Sequence, residues 1–220
     1  MSAPAAVIFD NDGLTLDTEG LWTLAEERLF DRYETEFTSA HKLELLGKSG
    51  ELAGRFLSET LGLPASAGLR LVGEMDELVF EAIEEGVQPM PGAVELLAAL
   101  EQAGIPRALC SNSPRPFVEQ ATAKAGVAGS FLAMVTGDDV EKGKPAPDPY
   151  LETARLLGVE PASCVALEDS PPGAMSAHRA GMTVLVVPSF EGLDYDGADD
   201  ARFASLADRG LWERLGLQPA

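Results

Sequence analysis

The segment FDNDGLTLDTE, residues 9–19, follows an apolar run and sets Asp10 and Asp12 two positions apart, with Asp17 and Glu19 close behind. An extended backbone repeats its side-chain direction every second residue, so Asp10 and Asp12 point the same way and repel one another unless a cation holds them. Gly13 then lets the chain turn tightly away. Three further stretches carry complementary groups. Ser111 and Asn112 offer hydrogen-bond donors just ahead of a helix start, a favourable place for an anion. Lys144 stands between Gly143 and Pro145, and Glu168 and Asp169 follow the apolar run CVAL. Singly, each has a plain structural explanation: a helix cap, a surface charge, a solvated loop. Together, carboxylates, a hydroxyl and a lysine suit phosphoryl chemistry, with octahedral oxygen ligation of Mg²⁺ by Asp side chains, a backbone carbonyl and a phosphate oxygen.

Such groups meet only if the elements carrying them end at one place. From residue 91 onward, short β-rich runs alternate with helical patterns, the signature of a parallel sheet covered by helices. Strands are predicted over 5–9, 107–110, 133–136, 164–167 and 183–187. Helical patterns fill 91–104, 113–126 and 148–158, opening on Pro, Ser or Asp and closing on Gly104, Gly126 and Gly158. This is a doubly wound, Rossmann-like α/β core, whose ligands bind outside the carboxyl ends of the strands. Residues 16–88 read differently, for they hold no convincing strand. Trp22, Ala25, Leu29 and Tyr33 fall at helical spacing, and 69–86 is another amphipathic run. The expected organisation is a core of residues 1–15 and 89–220 interrupted by an all-helical cap over 16–88, a lid above the strand ends. The acidic run 191–200 reads as a solvated loop.

Charge narrows the partners. With 36 acidic and 16 basic residues the chain carries a net charge of -20, which repels nucleic acid and anionic membranes. A small phosphorylated metabolite stays compatible, because a metal ion and a few basic side chains invert the field locally. Cys110 and Cys164 lie in apolar runs and read as core thiols. No apolar stretch approaches the ~20 residues of a membrane span and the first residues lack signal-peptide character, so a soluble, cytoplasmic protein is expected. The string GKS at 47–49 would need glycine at position 42 to be a phosphate-binding loop, and Lys42 stands there. The run from Asp194 fails as a calcium loop, with Asp199 and Ser205 where Gly and Glu are needed. His41 and His178 have no second His or Cys at metal-ligand spacing.

The ordered motifs FDNDG with DTE, SNS, GKPAPDPY and LEDSPPGAMSAHRAGM resemble those of the haloacid dehalogenase-like superfamily, in its capped phosphatase and β-phosphoglucomutase-like branch, over nearly the whole chain. The resemblance implies a Mg²⁺-dependent enzyme acting on a small phosphomonoester through an aspartyl phosphate. It makes Asp10 the nucleophile and Asp12 the general acid and base. Ser111 and Asn112 would bind the phosphoryl group, and Lys144 would neutralise its charge. Asp10, Asp169 with Glu168 beside it, and the Asp12 carbonyl would hold the metal. Asp12 also argues against true dehalogenation, whose enzymes lack the second aspartate. Leu14 and Asn11 depart from the usual residues without touching the chemistry. In the cap, Trp22 and Gly50 stand where the mutases carry a histidine and an arginine, leaving Lys48, Ser49 and Arg55 as candidate substrate contacts. A phosphatase is therefore expected over a phosphomutase; a non-catalytic binding protein of the same fold is the remaining alternative.

Overall fold

The computed structural model of the protein describes residues 3–48, 50–84 and 86–218. Six strands, β1 (Ala6–Phe9), β2 (Arg107–Cys110), β3 (Ala133–Val135), β4 (Cys164–Glu168), β5 (Thr183–Val186) and β6 (Ala201–Arg202), form one parallel sheet in the order β3-β2-β1-β4-β5-β6. The central strands are near-continuous apolar runs because helices cover both faces of a parallel sheet. Their side chains alternate between two cores. Val7, Phe9, Leu109 and Leu167 join one cluster, while Ala6, Ile8, Cys110 and Ala166 join the other. Burial lifts the Cys110 thiol to about 12 and the Cys164 thiol to about 11, so both stay protonated core groups.

Across 16–88, the described residues carry no named strand and four α-helices: α1 (Glu19–Arg32), α2 (Ser39–Leu45), α3 (Gly50–Thr60) and α4 (Gly68–Ile83). Thr38 caps α2 by accepting the His41 N–H. Helices α1, α3 and α4 bury Leu29, Phe30, Leu57, Leu71 and Val79 against one another, which accounts for the helical periodicity of this segment. The chain leaves and re-enters the sheet region along paired connections: Asp17 N–H donates to Gln88 O and Met90 N–H to Thr15 O, both at 2.9 Å. Helices α5 (Ala93–Gln102), α6 (Arg115–Lys124), α7 (Asp148–Leu157) and α8 (Pro171–Arg179) link the strands, and α9 (Arg209–Arg214) closes the chain.

The predicted strands appear within one or two residues of their expected ends, and β6 is an addition. Its two residues lie beyond the reach of any periodicity, and it forms by pairing with β5. The loop 191–200 is a correction, because it is only partly solvated: Tyr195 and Ala198 are fully buried, and the Tyr195 hydroxyl donates to the Asp169 carbonyl.

Candidate active site

The chain order reverses at β1, which has β2 on one side and β4 on the other. That topological switch opens a crevice at the carboxyl ends of these strands. Asp10 follows β1, Ser111 follows β2, and Glu168 and Asp169 close β4, so three separate stretches of sequence converge there.

Lys144 is the hub. Its ammonium is 2 % exposed and lies 2.5 Å from Asp10 Oδ1, 2.6 Å from Glu168 Oε1 and 2.9 Å from the Cys110 carbonyl. Burial alone would lower this lysine, but Asp10 and Glu168 outweigh it and hold it well above the ordinary lysine range. The Tyr150 hydroxyl donates to Glu168 Oε1 at 2.6 Å, and the Asp169 N–H reaches Glu168 Oε2 at 3.2 Å. Gly173 makes room for this carboxylate, since a Cβ there would lie 2.0 Å from Glu168 Oε1. Gly13, at φ +77°, likewise lets the chain turn past Asp169, whose Oδ2 would meet a Cβ at 2.7 Å.

Carboxylate oxygens of Asp10, Glu168 and Asp169 lie within 4.8 Å of one another. Asp169 Oδ2 is buried without a hydrogen-bond partner. Burial first pushes both Asp10 and Asp169 well above the usual carboxylate range; Lys144 opposes this at Asp10, while Glu168 adds repulsion at both and Asp10 adds it at Asp169. One ammonium against three buried carboxylates leaves two negative charges uncompensated, and all the donors are oxygen. A hard divalent cation fits that set in charge and in ligand type.

Asp12 faces the same crevice, held by four donors. Thr18 Oγ1 at 2.7 Å and Trp22 Nε1 at 3.2 Å reach its Oδ1; Ser113 Oγ at 2.8 Å and Ser111 Oγ at 3.1 Å reach its Oδ2. Ser111 is thus turned to Asp12, while Ser113 and Ser170 line the cavity wall. The side chain of Asn112 is engaged with backbone: its Nδ2 donates to Gly47 O at 3.0 Å and Lys144 O at 3.1 Å, and its Oδ1 accepts the Lys144 N–H at 2.8 Å. It braces the Lys144 loop against the segment after α2. Lys48 lies on the cavity wall, paired with Glu44 at 2.8 Å, whereas Arg55 is exposed on α3 and is not among the lining residues. Ser49 lies outside the described residues. Thr18, Ser113 and Tyr150 fall inside the motifs DTE, SNS and GKPAPDPY without a role of their own being read there, and Tyr195 lies in the acidic run; Trp22 is read only as a helical-pattern residue and a replaced histidine.

A family-wide sequence model described as haloacid dehalogenase-like hydrolase matches residues 4–181. The chain belongs to that family. It is 31 % identical to hexitol phosphatase B of Escherichia coli (strain K12) over 94 % of this chain and 93 % of that one. Identity is 33 % over 98 % of the chain to the bifunctional riboflavin kinase/FMN phosphatase of Arabidopsis thaliana, of whose length the chain spans 56 %. Among solved structures, CbbY from Rhodobacter sphaeroides in complex with phosphate superposes with a TM-score of 0.79 at 28 % identity, covering 94 % of this chain and 96 % of that one. This is a haloacid dehalogenase-like hydrolase with phosphatases among its relatives, and the expectation of an enzyme stands. Among the described residues, no helix is long and apolar enough to cross a membrane.

Proposed function

We propose that the chain hydrolyses a small phosphomonoester with Mg²⁺, by transfer of the phosphoryl group to Asp10 and then to water, with the helical segment 16–88 as its cap. The observation that carries this reading is the Asp10 carboxylate, clamped on Oδ1 by Lys144, beside the orphaned Asp169 Oδ2 and opposite Asp12. Mg²⁺ held by Asp10, Asp169 and the Asp12 carbonyl, with Glu168 alongside, would screen the charge between the Asp10 carboxylate and an incoming phosphate. Lys144 fixes which Asp10 oxygen is free to attack phosphorus. As the ester P–O bond breaks, a proton on Asp12 passes to the leaving alkoxide. Asp12 then takes a proton from water, whose oxygen attacks phosphorus and frees Asp10. The Ser111, Ser113 and Thr18 hydroxyls can reverse direction as Asp12 gains and loses that proton.

The cavity encloses 330 Å³, at the small end of the ~300–1,000 Å³ usual for ligand sites, which suits a small metabolite. A mutase would need cationic groups from the cap to hold a bisphosphate. Lys48 is paired with Glu44, Arg55 is exposed, and α4 contributes no Lys or Arg beyond Arg70. The test is to supply β-glucose 1-phosphate with a trace of the 1,6-bisphosphate and Mg²⁺, beside a panel of monoesters. Inorganic phosphate released from the panel, lost on chelation with EDTA, is expected; glucose 6-phosphate formed much faster than free phosphate would reverse the reading.

A further inference from the structure

The cavity has two walls of different chemistry. Strand ends supply Asp10, Asp12, Lys144 and Asp169; the helices supply Glu26, Lys42 and Asp76. Glu26 on α1 is 4 % exposed, and its Oε2 lies 3.1 Å from the Lys42 ammonium, which Glu19 Oε2 approaches to 2.9 Å from the other carboxylate. Apart from Lys42, the Oε2 atoms of Glu19 and Glu26 have no hydrogen-bond partner. Asp76 on α4 has no cation beside it, and the charge that acts on it is that of Asp138 across the cavity. Among the described residues, the helical wall is therefore a set of carboxylate acceptors around two ammoniums that are already paired, Lys42 with Glu19 and Glu26 and Lys48 with Glu44.

We propose that this helical wall selects phosphomonoesters whose far end is uncharged and hydroxyl-rich, and turns away those ending in a second phosphate or a carboxylate. The proposal rests on the phosphatase reading and names its substrate class. An anionic far end would meet Glu26 and Asp76 at short range in a small cavity, where like charges are strongly penalised. The ammoniums there cannot offset this, because Glu19 and Glu26 already hold Lys42 and Glu44 holds Lys48. A hydroxyl donates to the unbonded Glu26 oxygen and accepts from Lys42, so it satisfies both groups at once. Burial raises the carboxyls of Glu26 and Asp76 to about 7, so the exclusion of an anionic far end is strongest above neutrality, where both are ionised.

The experiment compares kcat/KM at pH 8 for phosphate release from two substrates of matched size with Mg²⁺: glycerol 3-phosphate and 3-phosphoglycerate. The wild-type chain should prefer glycerol 3-phosphate by at least about tenfold, with the difference mostly in KM. The Glu26→Gln and Asp76→Asn substitutions together should narrow that preference. Turnover of 3-phosphoglycerate within twofold of glycerol 3-phosphate overturns the proposal. Hydrolysis of p-nitrophenyl phosphate, which has no charged far end, reports the phosphatase reading by itself. Its failure together with that of both substrates overturns both readings, whereas its success with the wrong order between the two overturns this one alone.

Discussion

Asp76→Asn should stabilise the protein, and more so as pH rises. Burial, with Asp138 adding repulsion, lifts the Asp76 carboxyl from 3.8 to about 7. In the unfolded chain the group returns to its ordinary value and gives up its proton first. The folded state therefore holds a proton that the unfolded state lacks between those two values. Stability from this residue is fully present below pH 3.8 and is lost as pH rises to about 7. A tenfold change in proton affinity corresponds to about 1.4 kcal/mol, so the full penalty above neutrality is on the order of 4 kcal/mol. Water in the cavity reduces it, to about 2–4 kcal/mol. Asparagine copies the protonated shape without the charge, so its advantage should be about 1–2 kcal/mol larger at pH 8 than at pH 5.5. For a domain of this size that is a difference of roughly 2–8 °C in Tm gain. Urea or thermal unfolding of both proteins at the two pH values reads it directly. A variant no more stable than wild type at pH 8, or one whose gain is the same at both pH values, refutes the reasoning.

Lys144→Ala leaves Asp10 and Glu168 buried without their cation, and it should cost about 3–5 kcal/mol of stability, read by denaturation. Its folded fraction should also turn over at least ~100-fold more slowly, by analogy with the loss of one preorganised donor; activity within twofold of wild type would make the lysine purely structural. Asn11→Val should raise Tm, because Asn11 is fully buried with both amide atoms unpartnered, a penalty of about 1–3 kcal/mol that an apolar side chain removes. An unchanged or lower Tm would mean that the amide has a partner after all.

Strands β1, β2, β4 and β5 are legible in the sequence because a buried parallel strand is a short unbroken apolar run between turn residues, a signal that needs no tertiary information. The same holds for Asp10, Asp12, Lys144, Glu168 and Asp169, whose charges at the ends of those runs have no place in a core unless they meet. What the sequence hides is everything that depends on a partner distant along the chain. Tyr195 reads as part of an acidic surface loop, and only the fold reveals that it seals the back of Asp169. Trp22 reads as a lost histidine, although its indole donates to the Asp12 carboxylate. The Glu26–Lys42 pair cannot be read at all, since α1 and α2 each present those residues as ordinary helix charges until the two helices cross.

The acidity of the chain and the chemistry of its site are linked through solvation. An excess of carboxylates on the surface is screened by water and salt, and it has little effect on a buried centre. Where water is excluded, charges count nearly in full, and there the chain places one ammonium among Asp10, Glu168 and Asp169. A deficit of two positive charges in that spot is unstable alone and is relieved by a divalent cation, which in turn makes the spot attractive to a phosphate dianion. The helical wall has no such relief, for Lys42 is already shared by two carboxylates and Lys48 is held by Glu44. One cavity in a strongly acidic chain can thus accept an anion at one end and refuse it at the other. On the proposed phosphatase reading, that asymmetry would orient a phosphomonoester with its ester phosphate toward Asp10 before any specific contact to the rest of the molecule is made.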